Sequence, residues 1–262
     1  MIHDTAIIGK NAQLGERVTV GPYTVIDDHA VIGDDCRIGP RVTITGHTTI
    51  GKGTNVHSGA VIGDEPQDHG YRGEVSYTQI GRRCVLREYV TIHRGAAAES
   101  TTVIGDDVMI MGLAHVGHNC RIGSHVNIAN ATLLAGHVEI EDRAFLSARI
   151  MVHQFVRLGT LAMIGGGAIV AQDVPPYCLV PRQLVRGPNT VGLKRAGLSA
   201  DTRQAVKHAI KLYFFSGLNG TEALAAIREQ HGASAEVAHF ADFIEASRRG
   251  VLSAVSRKHH KE

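Results

Sequence analysis

The sequence lacks the features that mark membrane proteins and nucleic-acid-binding proteins. No apolar run approaches the roughly 20 residues of a membrane-spanning helix, so we expect no stable membrane insertion. The N-terminal stretch "MIHDTAIIGKNAQ" has no basic segment followed by an apolar one, and we expect no secretory signal. The net charge is only +2 and no nucleic-acid-binding motif is present, which argues against a nucleic-acid partner.

Cysteine is scarce, with four residues in 262, and tryptophan is absent. Cys36, Cys84 and Cys120 each lie two residues before an apolar position of the repeat described below, on its interior side. We interpret them as buried thiols that act as small hydrophobic residues. Reduced thiols are typical of cytoplasmic proteins, and we therefore predict a cytoplasmic location.

A branched apolar residue recurs at every sixth position through most of the segment 1–176. The series runs from Ile2 to Ile62, then over 80–92, and then from Ile104 to Val170; all 26 of these positions hold Ile, Leu or Val. The residue two positions earlier is small or β-branched at most places. Alternation of this kind predicts short strands rather than helices.

This six-residue period resembles that of the hexapeptide-repeat proteins. The resemblance implies an all-β solenoid, a left-handed parallel β-helix with three hexapeptides, or about 18 residues, in each coil. The chain would then wind as a triangular prism, and parallel strands would stack coil upon coil.

The repeat is interrupted twice and then stops. The interruptions predict external loops at about 63–79 and 94–103, and loops of solenoids usually gather on the binding face. After "QDVPPY" the pattern becomes helical, with predicted N-caps at Ser199, Thr221 and Ser234. We therefore predict a β-helix at 1–176 and a small α-helical C-terminal domain at 177–262, which ends in a disordered tail, "SRKHHKE".

Histidines cluster along one edge of the predicted prism. Positions whose numbers differ by 18 stack on neighbouring coils, so His118, His137 and His153 occupy one edge on three consecutive coils, and Gly136 lies directly above His118. His115 lies on the same coil as His118. Because imidazole exchanges protons near neutral pH, this column favours a functional site over incidental surface histidines.

Other interpretations of the column are weaker. Three histidines can bind zinc with an open position, but nothing beyond the histidines supports a metal, and we expect none. A Cys–His nucleophile is disfavoured because Cys120 points inward in the repeat. A non-enzymatic solenoid scaffold would explain the repeat but neither the histidine column nor the loops.

The chain resembles the UDP-N-acetylglucosamine O-acyltransferase family in the order and spacing of motifs over nearly its whole length. The motifs are "GDEPQDHGYRGE", "VTIHRG", "HVGHNCRIG", "ATLLAGHV", "VHQF", "QDVPPY" and "NTVGLKRAG". The resemblance implies an acyltransferase that moves a (3R)-hydroxyacyl chain from acyl carrier protein to the 3-hydroxyl of UDP-N-acetylglucosamine in lipid A biosynthesis. It also implies a homotrimer with active sites between neighbouring prisms and no metal or organic cofactor.

The family's functional residues match positions in this sequence. By this resemblance, His118 is the general base, the backbone N–H of Gly136 binds the oxyanion, and Gly166 limits the length of the acyl chain. Residues that match the substrate-binding cleft are Gln67 and Asp68 for the sugar and acyl groups, His93, His115, His137, His153 and Gln154 for its lining, and Asn189 and Arg195 for the nucleotide.

Two positions depart from the family pattern. Asn119 stands where the family usually has Asp after the catalytic histidine, and Gly70 stands where it usually has Lys. Arg72 is near enough in sequence to take over the role of that Lys. These departures leave open an acceptor other than UDP-N-acetylglucosamine, such as its 3-amino analogue.

The charge distribution is uneven between the two predicted domains. Residues 177–262 contain 13 Lys and Arg against 7 Asp and Glu, a net of +6, whereas residues 1–176 contain 14 against 18, a net of −4. A basic helical domain is consistent with steering an acidic partner such as acyl carrier protein to the cleft.

Overall fold

The computed structural model describes residues 1–254, so the predicted disordered tail lies outside the described residues. The chain forms the predicted left-handed parallel β-helix, followed by a small helical domain. Short strands build three parallel sheets, one on each face of a triangular prism. Most strands pair with the strand three places later in the chain, as Ile8 pairs with Ile26.

The strands are mostly two residues long, because a turn separates each pair of strand positions from the next. The first thirteen are β1 (Ile7–Ile8), β2 (Gln13–Leu14), β3 (Thr19–Val20), β4 (Val25–Ile26), β5 (Val31–Ile32), β6 (Arg37–Ile38), β7 (Thr43–Ile44), β8 (His47–Ile50), β9 (Asn55–Val56), β10 (Val61–Asp64), β11 (Tyr77–Ile80), β12 (Val85–Leu86) and β13 (Thr91–His93). The remainder are β14 (Thr101–Ile104), β15 (Met109–Ile110), β16 (His115–Val116), β17 (Arg121–Ile122), β18 (Asn127–Ile128), β19 (Leu133–Leu134), β20 (Glu139–Ile140), β21 (Phe145–Leu146), β22 (Met151–Val152), β23 (Arg157–Leu158), β24 (Met163–Ile164), β25 (Ile169–Val170), β26 (Cys178–Val180) and β27 (Gly187–Pro188).

The sixth-position residues form the core of the prism. Ile26, Ile44 and Ile62 are fully buried. Cys36, Cys84 and Cys120 are buried and free, as predicted, and so is Cys178, for which the sequence made no prediction. Burial raises the pKa of the Cys84 thiol to about 11, so it stays protonated at neutral pH. The cysteines therefore serve packing rather than nucleophilic chemistry.

The two external loops lengthen single coils by whole hexapeptides. The numbers of stacked positions ordinarily differ by 18, but Thr54 and Cys84, on either side of the first loop, differ by 30. Across the second loop the difference is 24. The first loop thus adds two hexapeptides to its coil and the second adds one. The connections without strand structure span 65–76 and 94–100, shorter than the sequence predicts, because the flanking strands extend further along the neighbouring coils.

Strand pairing also continues beyond the predicted end of the β-helix at residue 176. Val180 of β26 pairs in parallel with Ile164 of β24, although their numbers differ by 16 rather than 18. The six-residue count therefore fails here while the stacking of strands persists. A last antiparallel strand, β27, leads into the helices.

The helices are α1 (Thr190–Arg195), α2 (Ala200–Phe215), α3 (Gly220–His231) and α4 (Ala235–Glu245). Ser199 and Ser234 are the N-caps of α2 and α4, as predicted, and the Ser199 side chain accepts a hydrogen bond from the first turn of α2. The predicted cap of α3 at Thr221 is wrong: Asn219 is the N-cap and forms a capping box with Glu222. Within the described residues, no helix is long and apolar enough to cross a membrane.

The helical domain packs on the last coils of the β-helix through a cation–π contact and an ion pair. The guanidinium of Arg157 lies 4.1 Å from the ring centroid of Phe243 on α4. The carboxylate of Glu141 accepts hydrogen bonds from His239 Nε2 of α4, at 2.8 Å, and from both the backbone N–H and the hydroxyl of Thr160. Burial alone would raise the pKa of Glu141, but these donors outweigh it and lower the pKa. The hydrogen bond to Glu141 raises the pKa of His239.

This ion pair predicts a pH-dependent contribution to stability. Because the pKa of His239 is raised, the contribution of His239 to the free energy of unfolding is full below its ordinary pKa of 6.5. This contribution is lost as the pH rises through the raised pKa. Because the pKa of Glu141 is lowered, the contribution of Glu141 to the free energy of unfolding is full above its ordinary pKa of 4.5. This contribution is lost as the pH falls through the lowered pKa.

We expect His239→Gln to lower the free energy of unfolding most between these two ordinary values, by about 1 kcal/mol, since the pair is partly exposed to solvent. Urea titrations of both proteins from pH 4 to 9, at one protein concentration, measure the difference. A difference that does not vary with pH would show that His239 acts through packing alone.

Candidate active site

His118 lies at a corner of the prism just after β16, and its side chain is buried. Gly136 lies on the next coil, one full turn above it. A Cβ atom at Gly136 would come within 2.5 Å of His118 Cε1 and Nε2, far inside van der Waals contact. Glycine is therefore required at this position so that the imidazole can lie against the backbone.

The hydrogen bonds of Asn119 fix the tautomer of the neutral His118 ring. Asn119 Oδ1 lies 2.9 Å from the backbone N of Ala96, which can only donate, so this atom is the amide oxygen. His118 Nδ1 lies 2.9 Å from the same oxygen and must donate to it. The neutral ring then has its lone pair on Nε2, the atom that faces Gly136 and lies 3.8 Å from Asp68 Oδ2.

Two further histidines lie beside His118 and are held neutral. His115 Nδ1 is 2.7 Å from the Thr91 hydroxyl, and the rings of His93 and His115 meet edge to face at 4.8 Å. Burial lowers the pKa of His115 to about 4 and also lowers the pKa of His93. Neither ring carries a charge near pH 7, so both can form hydrogen bonds without repelling a protonated His118.

The longer loop, 65–76, brings Asp68 to this site. Asp68 Oδ1 accepts from the backbone N–H of Gly70 at 2.7 Å, while Oδ2 faces His118. Arg94 anchors the loop by donating to the Tyr71 hydroxyl at 2.9 Å. Arg72 donates to backbone carbonyls of its own loop, which orients its guanidinium towards the loop rather than towards the cleft.

A cleft of about 470 Å³ opens beside His118 on the face formed by β16, β19, β22 and β25. Leu133, Met151 and Ile169, stacked in register, give it an apolar floor. The sequence-predicted residues that line it are Gln67, His93, His115, His118, Gly136, His153 and Gln154.

His137 lies across the corner from this cleft. Its ring is 5.2 Å from that of His118 and stacks on Phe155 at 4.8 Å, and its backbone N–H donates to the His118 carbonyl. It lines a separate, polar cleft of about 230 Å³ together with Asn119. Burial and the nearby His118 lower the pKa of His137.

The structure places Asn189 and Arg195 on a different face of the same chain. Both line a cleft of about 790 Å³ above Phe145 and Met163. The Asn189 side chain accepts from the N–H of Gly192 and donates to the Leu161 carbonyl, so it caps α1 and ties it to the β-helix. Within one chain, therefore, the predicted nucleotide-side residues do not join His118.

Gly166 is exposed and lies at a corner near the end of the cleft that contains His118. It is not among the residues that line this cleft or the cleft that contains Asn189 and Arg195. A Cβ atom there would lie 3.2 Å from the Ala148 carbonyl oxygen and 3.9 Å from Ser147 Cβ. A side chain at this position thus needs only a small shift of its neighbours.

Sequence reasoning missed Thr91 and Arg249. The numbers of Thr91 and His115 differ by 24, so counting by 18 does not align them. Arg249 follows α4 and reaches His153 at 3.3 Å through tertiary packing, for which the sequence carries no local signal. Among the described residues, no group of three or more His, Cys, Asp or Glu side chains could hold a metal ion.

Comparison with known proteins agrees with this geometry. A family model described as UDP N-acetylglucosamine O-acyltransferase, domain 2, matches residues 173–252, and a bacterial transferase hexapeptide model matches residues 29–64 and 101–136. The acyl-[acyl-carrier-protein]–UDP-N-acetylglucosamine O-acyltransferase of Herminiimonas arsenicoxydans is 40% identical over 259 residues, covering 96% of this chain and 99% of that protein. The protein of the same name from Halorhodospira halophila is 40% identical over 254 residues, covering 96% and 98%.

Solved structures give the same result. The UDP-N-acetylglucosamine acyltransferase of Francisella novicida superposes with a TM-score of 0.93 at 37% identity, covering 99% of this chain and 100% of that chain. The Bacteroides fragilis enzyme gives a TM-score of 0.94 at 38% identity, covering 96% and 100%. The chain belongs to the acyl-[acyl-carrier-protein]–UDP-N-acetylglucosamine O-acyltransferase family.

Proposed function

We propose that the protein transfers a (3R)-hydroxyacyl chain from acyl carrier protein to the 3-hydroxyl of UDP-N-acetylglucosamine, the first step of lipid A biosynthesis. The observation that carries this proposal is the pairing of His118, whose neutral tautomer presents the lone pair of Nε2, with the backbone of Gly136 directly above it. This pairing sets a base and an amide donor side by side in a cleft with an apolar floor.

In the proposed reaction, His118 Nε2 takes the proton of the sugar hydroxyl as its oxygen attacks the thioester carbonyl. The Gly136 N–H donates to the oxyanion of the tetrahedral intermediate; it donates to no other group in the described part of the chain. The intermediate expels the thiolate of the carrier protein, which receives the proton from imidazolium. The carboxylate of Asp68, 3.8 Å from Nε2, stabilises the imidazolium, and no metal or organic cofactor takes part.

We also propose that the protein works as a homotrimer whose clefts lie between neighbouring prisms. The support is the separation of the site residues: those around His118 line one face of the chain, and Asn189 and Arg195 line another. Both clefts expose large apolar side chains, among them Phe145 and Met151. A second prism packed against these faces would cover them and complete the site.

Mixed trimers test this arrangement. His118→Ala and Arg195→Ala chains are each expected to have low activity at limiting nucleotide sugar. Refolding them together at equal concentration should restore about one quarter of the wild-type activity, because random assembly leaves that share of clefts with both residues intact. No recovery over the separate variants would place both residues in clefts formed by a single chain.

The uneven charge supports acyl carrier protein as the donor. The net of +6 in residues 177–262 contrasts with a net of −4 in the β-helix, so an acidic carrier would be attracted to the helical domain. We propose a cytoplasmic location, for which the four free, buried thiols give support.

The test of the proposed reaction follows the release of carrier-protein thiol. Purified protein is mixed with a 3-hydroxyacyl-acyl carrier protein, and free thiol is measured with a chromogenic reagent, with and without UDP-N-acetylglucosamine. We expect release that depends on the nucleotide sugar and follows saturation kinetics. Release that is equal without it would indicate a thioesterase and contradict the proposal.

A second acceptor, the 3-amino analogue of UDP-N-acetylglucosamine, is favoured by one observation. The group that accepts the Nδ1 hydrogen of His118 is the neutral amide of Asn119 rather than a carboxylate, which gives imidazolium less stabilisation. A neutral amine attacks a thioester before it loses a proton, so it depends less on the base than a hydroxyl does. Thiol release measured with each acceptor distinguishes the two.

Gly166 provides a test of donor selection. We expect Gly166→Met to shift preference towards shorter acyl donors. By the family resemblance Gly166 limits the length of the acyl chain, so a larger side chain there would exclude the last carbons of a long chain, and each CH₂ removed from apolar contact forfeits about 0.8 kcal/mol. Comparing kcat/KM over a series of donor lengths, with Gly166→Ala as the small-side-chain control, measures the shift. An equal loss at every length would mean that Gly166 is needed for the backbone of its coil and does not measure chain length.

A further inference from the structure

The segment that follows α4, residues 247–252, is bound to the end of the β-helix through Asp173; we call it the C-terminal strap. The Asp173 side chain is buried, and its carboxylate accepts from the Ser247 hydroxyl at 2.7 Å. The Asp173 backbone donates to the Gly250 carbonyl at 3.0 Å and accepts from the Leu252 N–H at 2.9 Å. These hydrogen bonds fix the strap against the last coil, beside the cleft that contains His118.

The strap places Arg249 at the rim of that cleft. Arg249 Nε and Nη2 both donate to the Ala171 carbonyl at 3.2 Å, and Nη2 also donates to His153 Nδ1 at 3.3 Å. Both Ala171 and His153 line the cleft. The neighbouring Arg248 is exposed and makes no hydrogen bond or ion pair within the described part of the chain.

These contacts determine which nitrogen of His153 carries the proton. A guanidinium has donors only, so the nitrogen that faces it must present a lone pair. The Gln154 carbonyl lies 3.4 Å from the same Nδ1 and would need a proton there. The guanidinium is charged and forms the stronger hydrogen bond, so Nδ1 is the acceptor and Nε2 carries the hydrogen.

We propose that Arg249 is a positioning residue of the active cleft, which fixes His153 as the Nε2–H tautomer and so presents a hydrogen-bond donor to the nucleotide sugar. This inference rests on the proposed function for the identity of that ligand. A nucleotide sugar offers hydroxyl, carbonyl and phosphate oxygens as acceptors, whereas the acyl chain offers mainly methylene groups. Arg249 acts through the imidazole, and its contacts with Ala171 hold it in place.

Kinetics of Arg249 variants test the proposal. Arg249→Met removes the donor to His153 and should raise KM for UDP-N-acetylglucosamine roughly 5–30-fold, the range for losing one or two kcal/mol of binding. The kcat should change by less than about twofold, because a contact made equally in the ground and transition states affects KM alone. Arg249→Lys keeps one charged donor and should restore part of the loss. Arg248→Met is the matched control and should behave as wild type.

A double-mutant cycle separates action through His153 from any other role. In a His153→Gln protein, Arg249→Met should cause little further loss, because the two side chains act as one unit. Losses that multiply would show that Arg249 contacts the substrate itself or only supports the strap, and would overturn the proposal. Equal behaviour of Arg249→Met and wild type would overturn it as well.

A spectroscopic measurement tests the tautomer without any substrate. In protein labelled with ¹⁵N-histidine, with the His153 signals assigned by comparison with His153→Gln, we expect the proton on Nε2 in wild type and a loss of this preference in Arg249→Met. A wild-type proton on Nδ1 would overturn the inference whatever the kinetics. If this tautomer is found but no nucleotide sugar is acylated, the proposed function fails and the positioning role of Arg249 stands.

Discussion

Replacing His118 by alanine is expected to lower kcat by about 10²–10⁴-fold, the usual contribution of a general base. The expectation rests on the geometry of its ring: Nδ1 donates to Asn119 Oδ1, so the lone pair lies on Nε2, which faces Gly136. The measurement is the single-turnover rate of acyl transfer at saturating donor and acceptor. KM for the nucleotide sugar should change much less than kcat.

His118 lies at a corner of the prism, outside the apolar core, so its loss should leave the fold intact. Unchanged circular dichroism and thermal unfolding would establish this. His3→Ala is the control and should retain full activity, because it removes an exposed ring whose hydrogen bonds within residues 1–254 are all with Thr5 near the N-terminus. A His118→Ala protein with a kcat near that of wild type would exclude His118 as the base.

Gly136→Ala is expected to be nearly as damaging although it adds one carbon atom. The new Cβ would lie 2.5 Å from two atoms of the His118 ring, so the imidazole must move by about 1 Å, a displacement that can cost about 10²-fold in rate. The backbone N–H of residue 136 remains, so the loss reports the displaced base rather than a missing oxyanion donor. Single-turnover kinetics again measure the effect.

The matched control for this substitution is Gly220→Ala at the start of α3. There the nearest heavy atom to the added Cβ is the Tyr213 hydroxyl oxygen at 3.5 Å, an ordinary contact, and activity should not change. If Gly136→Ala retained wild-type kcat, the close stacking of Gly136 on His118 would have no part in catalysis.

The repeat made the fold and the histidine column predictable. From Ile104 to the end of the repeat each coil has the same length, so sequence number alone places Gly136 above His118, and the structure agrees. The count fails wherever a coil changes length. Thr91 and His115 are in contact although their numbers differ by 24, and Val180 pairs with Ile164 at a difference of 16. Neither difference is a multiple of 18, the number of residues in a regular coil.

Contacts that depend on tertiary packing had no sequence signal. The acceptor role of Asn119 depends on the Ala96 N–H, which the shorter loop delivers from the preceding coil. Arg249 reaches His153 only because Asp173 holds the strap at Ser247, far from it in sequence.

The N-cap of α3 was predicted wrongly for a different reason. Asn219 and Thr221 both suit an N-cap, so the residue types alone do not choose between them. The capping box with Glu222 decides in favour of Asn219.

The most direct test of the proposed function is the identity of the product. Wild-type protein is incubated with a 3-hydroxyacyl-acyl carrier protein and an equal mixture of UDP-N-acetylglucosamine and its 3-amino analogue, and the nucleotide products are identified by tandem mass spectrometry. We expect an ester on the 3-hydroxyl of UDP-N-acetylglucosamine, and no such product with His118→Ala. A wild-type product acylated only at the amine, or no acylated nucleotide, would contradict this expectation.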